Sequence, residues 1–126
     1  MEIMSYDFSD AYYSCSVFPP HRKYLRFTFE GELYEFTCLA NGLSSAPRIF
    51  TKMMKVALSH LREEYGVTIS GYLDDNILVN YTNVREAMQE GIHAAELFQL
   101  LGFTINIPKS VAYPVKVIEH LGFIID

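Results

Sequence analysis

The 126-residue sequence contains no tryptophan, only two cysteines and no long hydrophobic segment. Its 7 glycines and 5 prolines are too few for collagen-like or low-complexity sequence, and 50% hydrophobic residues exclude a disordered chain. No apolar run approaches the roughly 20 residues of a membrane-spanning helix. Residues 1–10 include Glu2, Asp7 and Asp10, so they lack the basic and apolar regions of a signal peptide. These absences predict one compact, soluble domain.

The two cysteines, Cys15 and Cys38, form no CxxC pair and have no metal-ligand spacing. The sequence alone is compatible with one disulfide between them or with two free thiols. Because nothing marks the chain as secreted, we expect reduced thiols and an intracellular protein. Nothing in the sequence separates the cytoplasm from the nucleus.

Basic residues are scarce and unevenly placed, since the net charge is −5. Residues 1–63 are neutral, whereas residues 64–126 carry the whole excess of negative charge. An acidic domain is a weak binder of nucleic acid by itself, because phosphate contacts need basic groups. The basic residues are nevertheless grouped, at Arg22–Arg26 and along residues 48–62, so that a local phosphate-facing surface is feasible.

Hydrophobic periodicity divides the chain into strands and two helices. Period-two alternation predicts a hairpin of 24–29 with 33–37, and short apolar segments predict strands at 3–8, 67–72, 77–79, 103–107 and 117–125. Helical spacing predicts one helix that opens at Ser44–Pro47 and stops at Gly66, and another over 83–101. This order is typical of an α+β fold, in which helices cover one face of an antiparallel sheet.

The helical spacing also predicts which residues of each helix are buried. For the first helix we expect a buried face of Ile49, Phe50, Met53, Val56, Ala57 and Leu61. For the second we expect a buried face of Val84, Ala87, Met88, Ile92, Ala95, Leu97 and Leu101.

Acidic residues interrupt two of the apolar strands. Asp74 and Asp75 lie between two predicted strands, and Asp7 lies within the first. Adjacent carboxylates repel each other, and a hard divalent cation such as Mg²⁺ relieves that repulsion. If the Asp7 strand pairs with the later hairpin, three carboxylates converge and could hold two metal ions for phosphoryl transfer. The alternative is an ordinary turn, since Asp and Asn favour turns, with Asp7 at a sheet edge.

Five segments, taken in order and with their spacing, resemble the motifs of reverse transcriptases. Residues 7–14 (DFSDAYYS) resemble the first catalytic motif, residues 41–47 (NGLSSAP) the second, and residues 72–75 (YLDD) the YxDD motif. Residues 101–109 are similar to the fourth motif, and Leu121-Gly122-Phe123 to the primer-grip motif. The segments at 22–27 and 46–52 look most like retrotransposon enzymes of the DIRS/Ngaro and gypsy-like groups.

The resemblance implies a palm domain, with a ferredoxin-like antiparallel sheet, two helices on one face and a β-hairpin from the fingers. It implies RNA-directed DNA polymerase activity: a primer 3′-hydroxyl attacks a deoxynucleoside triphosphate with two Mg²⁺ ions, which Mn²⁺ can replace. It also implies roles for individual residues. The catalytic residues would be Asp7, Asp74, Asp75 and Lys109; the metal ligands Asp7, Phe8, Asp74 and Asp75; the nucleotide-binding residues Asp10, Ala11, Tyr12, Asn41 and Gly42; and the primer or template contacts Tyr72, Leu121, Gly122 and Phe123.

Three of these roles follow from side-chain chemistry within the family. Tyr12 would be the steric gate against a ribose 2′-hydroxyl, and Lys109 would protonate the departing pyrophosphate. Asn41 stands where the family usually has glutamine, which is one methylene longer. Taken singly, Tyr12 is more typical of a core aromatic and Lys109 of a solvated surface lysine.

The resemblance further predicts the domain content and the partners. Residues 1–126 would be one palm domain with part of the fingers, without the N-terminal fingers segment, the thumb or an RNase H region. The partners would be an RNA or DNA template-primer, deoxynucleotides, the missing fingers and thumb segments, and, through uncovered apolar surface, a second copy.

Two other classes of function stay open. One is a repurposed palm that binds protein or RNA without catalysis. The other is a nucleotidyl cyclase, although no GG[DE]EF-type turn is present.

Overall fold

The computed structural model describes all residues from Met1 to Asp126. It contains two α-helices, α1 (Ala46–Tyr65) and α2 (Val84–Leu100). Its nine strands are β1 (Glu2–Ser9), β2 (Arg26–Phe29), β3 (Glu32–Glu35), β4 (Thr68–Tyr72), β5 (Asp75–Asn80), β6 (Thr104–Ile105), β7 (Val111–Val115), β8 (Ile118–His120) and β9 (Phe123–Ile125). Three short 3₁₀ helices cover Tyr12–Ser14, Pro19–Leu25 and Ile107–Lys109.

The main sheet has the strand order β4-β5-β1-β6, and β7 also pairs with β1. All of its pairings are antiparallel. Strand β1 is therefore central, and both helices contact the sheet from the side that carries the larger core. The chain thus has the predicted α+β architecture, with two helices on one face of an antiparallel sheet and a separate β2–β3 hairpin.

Strand β1 alternates between two hydrophobic cores, because successive side chains of a strand point to opposite faces. Met4, Tyr6 and Phe8 face the helices and belong to the larger core. Ile3 faces the other side, where it packs with Ile77 of β5 and Ile118 of β8. The small second core therefore attaches the β8–β9 hairpin to the sheet face that no helix covers.

Helix α2 approaches β1 closely at a glycine. A Cβ on Gly91 would lie 2.7 Å from the hydroxyl oxygen of Tyr6, which donates a hydrogen bond to the Gly91 carbonyl oxygen at 3.0 Å. Burial raises the pKa of Tyr6 to about 12, so the hydroxyl stays protonated and keeps donating. A side chain at position 91 would push the helix away from the strand, which explains a glycine in the middle of a helix.

The ends of both helices agree with the sequence signals. Gly66 ends α1 with a left-handed φ of 66°, and Asn83 caps α2 by accepting a hydrogen bond from the Glu86 amide at 2.9 Å. Ser45 precedes α1, but its side chain makes no capping hydrogen bond.

The predicted buried faces of the helices were partly right: Phe50, Ala57, Leu61 and Ala87 are buried as expected, and Ala95 and Leu97 are partly buried against the core. In α1, the predicted core residues Ile49, Met53 and Val56 are exposed, and the buried set is Ala46, Phe50, Met54, Ala57, Leu58 and Leu61. In α2 the buried set is Ala87, Gly91, Ala94 and Phe98, whereas Val84, Met88, Ile92 and Leu101 are exposed. Both helices carry apolar residues on more than one stripe, so that the sheet, and not the periodicity, selects the buried stripe.

Some strands also differ from the sequence prediction. Residues 117–125 form a hairpin, not one strand, because Leu121 and Gly122 make a turn with φ values of 53° and 81°. Strand β7 was not predicted, and residues 24–25 end a 3₁₀ helix that begins at the two prolines.

Both cysteines are free thiols. Neither helix is long and apolar enough to cross a bilayer.

Candidate active site

Strands β1 and β5 place two acidic residues side by side. Asp7 is the direct antiparallel partner of Asp75, in register with the pairs Ser5–Ile77 and Ile3–Val79. Because Ile3 and Ile77 lie in the smaller core, the period of two puts Asp7 and Asp75 on the same helix-free face. The two carboxylates therefore stand at one end of the sheet, on the face that the β8–β9 hairpin partly covers.

The turn between β4 and β5 consists of only Leu73 and Asp74. Leu73 has a φ of 51°, a conformation that costs a residue with a Cβ about 1 kcal/mol. The carbonyl oxygen of Asp74 accepts a hydrogen bond from the Phe8 amide at 3.0 Å. The hydrogen-bond ladder of the central strand thus extends into the turn and fixes Asp74 beside Asp7.

The segment that carries Lys109 is also fastened to Asp7. The carbonyl oxygen of Asp7 accepts a hydrogen bond from the Asn106 amide at 2.7 Å, and its amide donates to the Ser110 hydroxyl at 2.9 Å. These two contacts bracket the short helix Ile107–Lys109. Lys109 is exposed and near enough for its charge to lower the pKa of Asp7.

The pKa values of the acidic residues reflect their proximity. Burial is the largest cause that raises the pKa of Asp7, and the charges of Asp74 and Asp75 raise it further, against the opposing effects of Lys109 and the Phe8 amide. The pKa of Asp75 is also raised, mainly by burial, while His120 lowers it and Asp74 raises it. The charge of Asp74 therefore disfavours ionisation of both Asp7 and Asp75, and that of Asp75 disfavours ionisation of Asp7.

The donor chemistry of these residues fits a hard divalent cation, because carboxylate oxygens are its preferred ligands and a cation would relieve their repulsion. No three histidine, cysteine, aspartate or glutamate side chains, however, stand close enough together to form a ready metal-binding group. Asp7, Asp74 and Asp75 are neighbours in the fold, but their side chains do not converge on one point.

A cavity of about 260 Å³ opens next to the acidic residues. Four residues of the predicted nucleotide-binding set line it together with the two residues of the β4–β5 turn: Asp10, Ala11, Tyr12, Asn41, Leu73 and Asp74. Gly42, the fifth predicted member, is not a lining residue and has a φ of 87° in the adjoining loop. The structure thus brings three segments, at residues 10–12, 41 and 73–74, around one polar cavity.

Two aromatic side chains support the cavity wall. Tyr12 packs edge-on against Phe50 of α1, with ring centroids 5.7 Å apart. Asn41 donates a hydrogen bond from Nδ2 to the hydroxyl oxygen of Tyr13 at 3.2 Å. Tyr12 therefore contacts the core on one side and lines the cavity on the other. Tyr13 orients the amide of Asn41.

The predicted primer and template contacts are exposed. Tyr72 is the last residue of β4, immediately before the acidic turn, and 59% of it is exposed. Leu121 and Gly122 form the turn of the β8–β9 hairpin, and Phe123 follows with 73% exposure. Aromatic and apolar groups thus flank the acidic end of the sheet.

Three residues that support this site had no individual role predicted from the sequence. Asn106 and Ser110 hold the backbone of Asp7, and His120 lies with Nδ1 3.5 Å from Oδ2 of Asp75. Ser110 directly follows Lys109, and His120 directly precedes Leu121, so both adjoin motif residues. Their contacts span 45 to 103 positions of the chain, and such long-range contacts leave no periodic signal in a sequence.

The raised pKa of Asp7 predicts a pH-dependent cost in stability. A carboxyl group with a raised pKa in the folded state destabilises the fold as the pH rises from its ordinary value of 3.8 through the raised value. We therefore expect Asp7→Asn to increase the free energy of unfolding at pH 7, and the gain to shrink as the pH falls towards 3.8. Urea denaturation at a series of pH values measures both effects.

The matched control is Asp126→Asn, at an exposed aspartate of the C-terminus. We expect this variant to leave the pH dependence of stability as it is in the unchanged chain. A loss of stability in Asp7→Asn at pH 7, or a gain that is the same at pH 7 and pH 4, would contradict the raised pKa of Asp7.

Comparisons with known proteins bear on the family and the fold of the chain. The family model of the reverse transcriptase (RNA-dependent DNA polymerase) matches residues 2–125. The structure of the foamy viral protease-reverse transcriptase in complex with dsDNA is similar with a TM-score of 0.84 and 21% identity, over 98% of this chain and 24% of that chain. The structure of this foamy viral protein in complex with an RNA/DNA hybrid gives a TM-score of 0.84 and 21% identity, over 98% and 16% of the two chains.

A further structure, of the native Prototype Foamy Virus protease-reverse transcriptase, has a TM-score of 0.79 at 21% identity, over 98% of this chain and 16% of that chain. At this level of identity the likeness establishes a shared fold. The chain spans between 16% and 24% of the length of these structural relatives.

Proposed function

Because the chain belongs to the reverse transcriptase family, we propose that it is the catalytic palm of an RNA-directed DNA polymerase, with part of the fingers. It would transfer a deoxynucleotide to a primer 3′-hydroxyl on an RNA or DNA template. The segments at 22–27 and 46–52 favour an origin in a retrotransposon of the DIRS/Ngaro or gypsy-like groups. Activity is proposed for the polymerase that contains this domain, and the isolated chain would have little or none.

One observation carries the proposal: residues from three separate motifs surround a single polar cavity. Asp10 and Tyr12 come from the first motif, Asn41 from the second and Asp74 from the YxDD turn. Repurposed binding surfaces have no need to keep these groups around one cavity, whereas a nucleotide must contact all of them at once. The acidic pair Asp7 and Asp75 lies at the adjoining end of the sheet.

Asp7, Asp74 and Asp75, with the backbone carbonyl of Phe8, would hold two Mg²⁺ ions, and Mn²⁺ could take their place. When bound, these ions would supply charge neutralisation for the attacking hydroxyl and the pyrophosphate. The β1–β5 ladder and the hydrogen bond from Phe8 to the turn hold the backbones of these residues. With the ions bound, the carboxylates would provide fixed charge, which is the main source of catalysis in phosphoryl transfer.

The other proposed residues bind, orient or transfer a proton. Lys109, exposed beside Asp7, would donate a proton to the departing pyrophosphate. Tyr12 and Asn41 would contact the sugar, and Asp10 and Ala11 would line the triphosphate. Gly42, which has no side chain, would let a template-primer approach the loop next to the cavity.

Template-primer binding would use the exposed groups at the acidic end of the sheet. Tyr72, Leu121, Gly122 and Phe123 would contact the primer or template. Complexes of the foamy viral relative with dsDNA and with an RNA/DNA hybrid support these nucleic acids as partners. Exposed apolar residues on both helices, such as Val56 and Ile92, would favour contacts with fingers and thumb segments or with a second copy.

The experiment that tests the proposal is paramagnetic broadening by Mn²⁺ in the NMR spectrum of the chain. A primer-template and a deoxynucleotide are present, and the matched control is Asp74→Asn. We expect broadening centred on Asp7, Asp74 and Asp75, and its loss in the control variant. Diffuse broadening, or a focus elsewhere, would contradict the metal site and favour a palm that binds protein or RNA without catalysis.

The steric gate predicts a change in sugar selection. We expect Tyr12→Ala to relax discrimination against ribonucleotides by roughly 10-fold or more, because the space freed next to the sugar accommodates a 2′-hydroxyl. The measurement compares incorporation of ribo- and deoxynucleotides by a chimera in which this chain replaces the corresponding segment of the foamy viral enzyme. Tyr24→Ala, which removes a tyrosine that is 75% exposed and outside the cavity, is the control.

Unchanged sugar discrimination in Tyr12→Ala would remove Tyr12 from the gate. In that case its contact with Phe50 would define it as a core aromatic.

A further inference from the structure

The three acidic residues of the candidate site differ in their side-chain partners. Asp75 has one, because Oδ2 of its carboxylate lies 3.5 Å from Nδ1 of His120. Neither Asp7 nor Asp74 has a cationic side chain within ion-pair distance. The orientation of one carboxylate is therefore restrained by a ring from another part of the chain, while the other two depend on the backbone alone.

His120 is itself firmly placed. Its side chain is 10% exposed, against 33% for that of Asp75. Two residues earlier on the same strand, Ile118 is buried with Ile3 and Ile77 in the smaller core. The imidazole and Ile118 thus anchor the same face of β8 to the sheet.

The anchored strand belongs to a hairpin whose tip is exposed. Lys116 pairs with the buried Glu2 and fixes the segment before β8 to strand β1. Beyond His120, Leu121 is 48% exposed and Phe123 is 73% exposed. Only three residue pairs join β8 to β9, so that the hairpin is small and its tip reaches solvent. Ile118, His120 and Ile125 connect the hairpin to the sheet, and of these three His120 contacts an acidic residue of the site.

We propose that His120 is a positioning residue that holds the Asp75 carboxylate and couples its orientation to the β8–β9 hairpin. The inference rests on the proposed function, in which Asp75 is a metal ligand and the hairpin tip contacts the primer. A ring nitrogen next to one carboxylate oxygen restricts rotation of a side chain that is one-third exposed, and restricted ligands bind metal more tightly. Displacement of the hairpin tip would then move Asp75. The position of the primer end would in this way affect the orientation of a metal ligand.

The test uses NMR of the intact chain labelled with ¹³C and ¹⁵N. The first readout, without metal, is the carboxyl carbon resonance of Asp75. The second is the affinity for Mn²⁺ alone, from the concentration at which signals near Asp75 broaden. His120→Phe keeps a ring in the core but removes the nitrogen, and His120→Asn keeps an amide nitrogen close to the position of Nδ1.

We expect His120→Phe to shift the Asp75 carboxyl resonance and to weaken Mn²⁺ binding roughly 10-fold. His120→Asn should restore most of both effects, which a role in packing alone would not produce. His21→Phe, at an exposed histidine, is the matched control and should change neither. A third comparison, Phe123→Ala, should shift the Asp75 resonance in the unchanged chain but not in His120→Phe.

The inference is overturned if the Asp75 resonance is the same in His120→Phe and in the unchanged chain, or if His120→Asn, with a native amide spectrum, fails to restore it. Failure of the proposed function is a different result: the Asp75 resonance responds to position 120, yet Mn²⁺ does not broaden signals near it. That result would retain the contact between His120 and Asp75 and remove its role at a metal site.

Discussion

Replacing Asp74 with asparagine is expected to abolish primer extension, with a loss of at least about 10³-fold in rate. The substitution keeps the size of the side chain and the Phe8–Asp74 backbone hydrogen bond, so the fold should be retained. It removes one of three negative charges that share the end of the sheet and would hold the metal ions. Asp7→Asn should have the same effect on extension, because its strand pairs directly with that of Asp75.

Extension is measured with the chimera that carries this chain in place of the corresponding segment of the foamy viral enzyme, beside the chain itself. The matched control is Asp126→Asn, which makes the same chemical change at an exposed position away from the cavity. Full extension by Asp74→Asn, with the unchanged chimera active, would refute the proposed mechanism. An equal loss of extension in Asp126→Asn would mean that the loss in Asp74→Asn reflects damage to the fold and is not specific to the site.

Replacing Phe98 with alanine is expected to reduce the free energy of unfolding by about 3–5 kcal/mol. Phe98 has no exposed surface, and its ring packs edge-on against Phe8 at 5.0 Å and Tyr6 at 6.3 Å. These two residues flank Asp7 on the central strand. Since small domains are stable by only about 5–15 kcal/mol, the cavity would remove a large part of the total and loosen the strand that carries Asp7.

Urea denaturation measures this effect, with Phe29→Ala as the control. Phe29 is 59% exposed in the β2–β3 hairpin, which is separate from the main sheet, so its removal should cost less than about 1 kcal/mol. A loss in Phe98→Ala as small as that in the control would mean that the helix–sheet core does not hold the fold together.

Much of the local structure was determined by the sequence. A short apolar segment defined β1, Gly66 and Asn83 set two helix ends, and Glu30-Gly31 marked the β2–β3 turn, where φ is positive at both residues. These features are local because glycine conformations, caps and turns depend on a few neighbouring residues. The α+β class followed from their order along the chain, and the structure confirms it.

The sequence did not determine which helix stripe is buried. In α1, Ile49 and Met53 match helical spacing as well as Phe50 and Met54 do, yet only the second pair is buried. In α2, the buried stripe includes Gly91, which a hydrophobic pattern does not mark. The close approach of α2 to Tyr6 requires a small residue there, so shape complementarity with the sheet decides the rotation of the helix.

For the candidate site, the sequence by itself determined the types and local spacing of the acidic residues, and a family resemblance predicted their roles, which the proposed experiments test. Only the tertiary structure decided that Asp7 faces Asp75, that Asp10 and Asn41 line one cavity, and that His120 contacts Asp75. Strand register, the β4–β5 turn with Leu73 at positive φ, and the second hydrophobic core create these contacts. Each joins residues distant along the chain, and their energies depend on packing that no local pattern encodes.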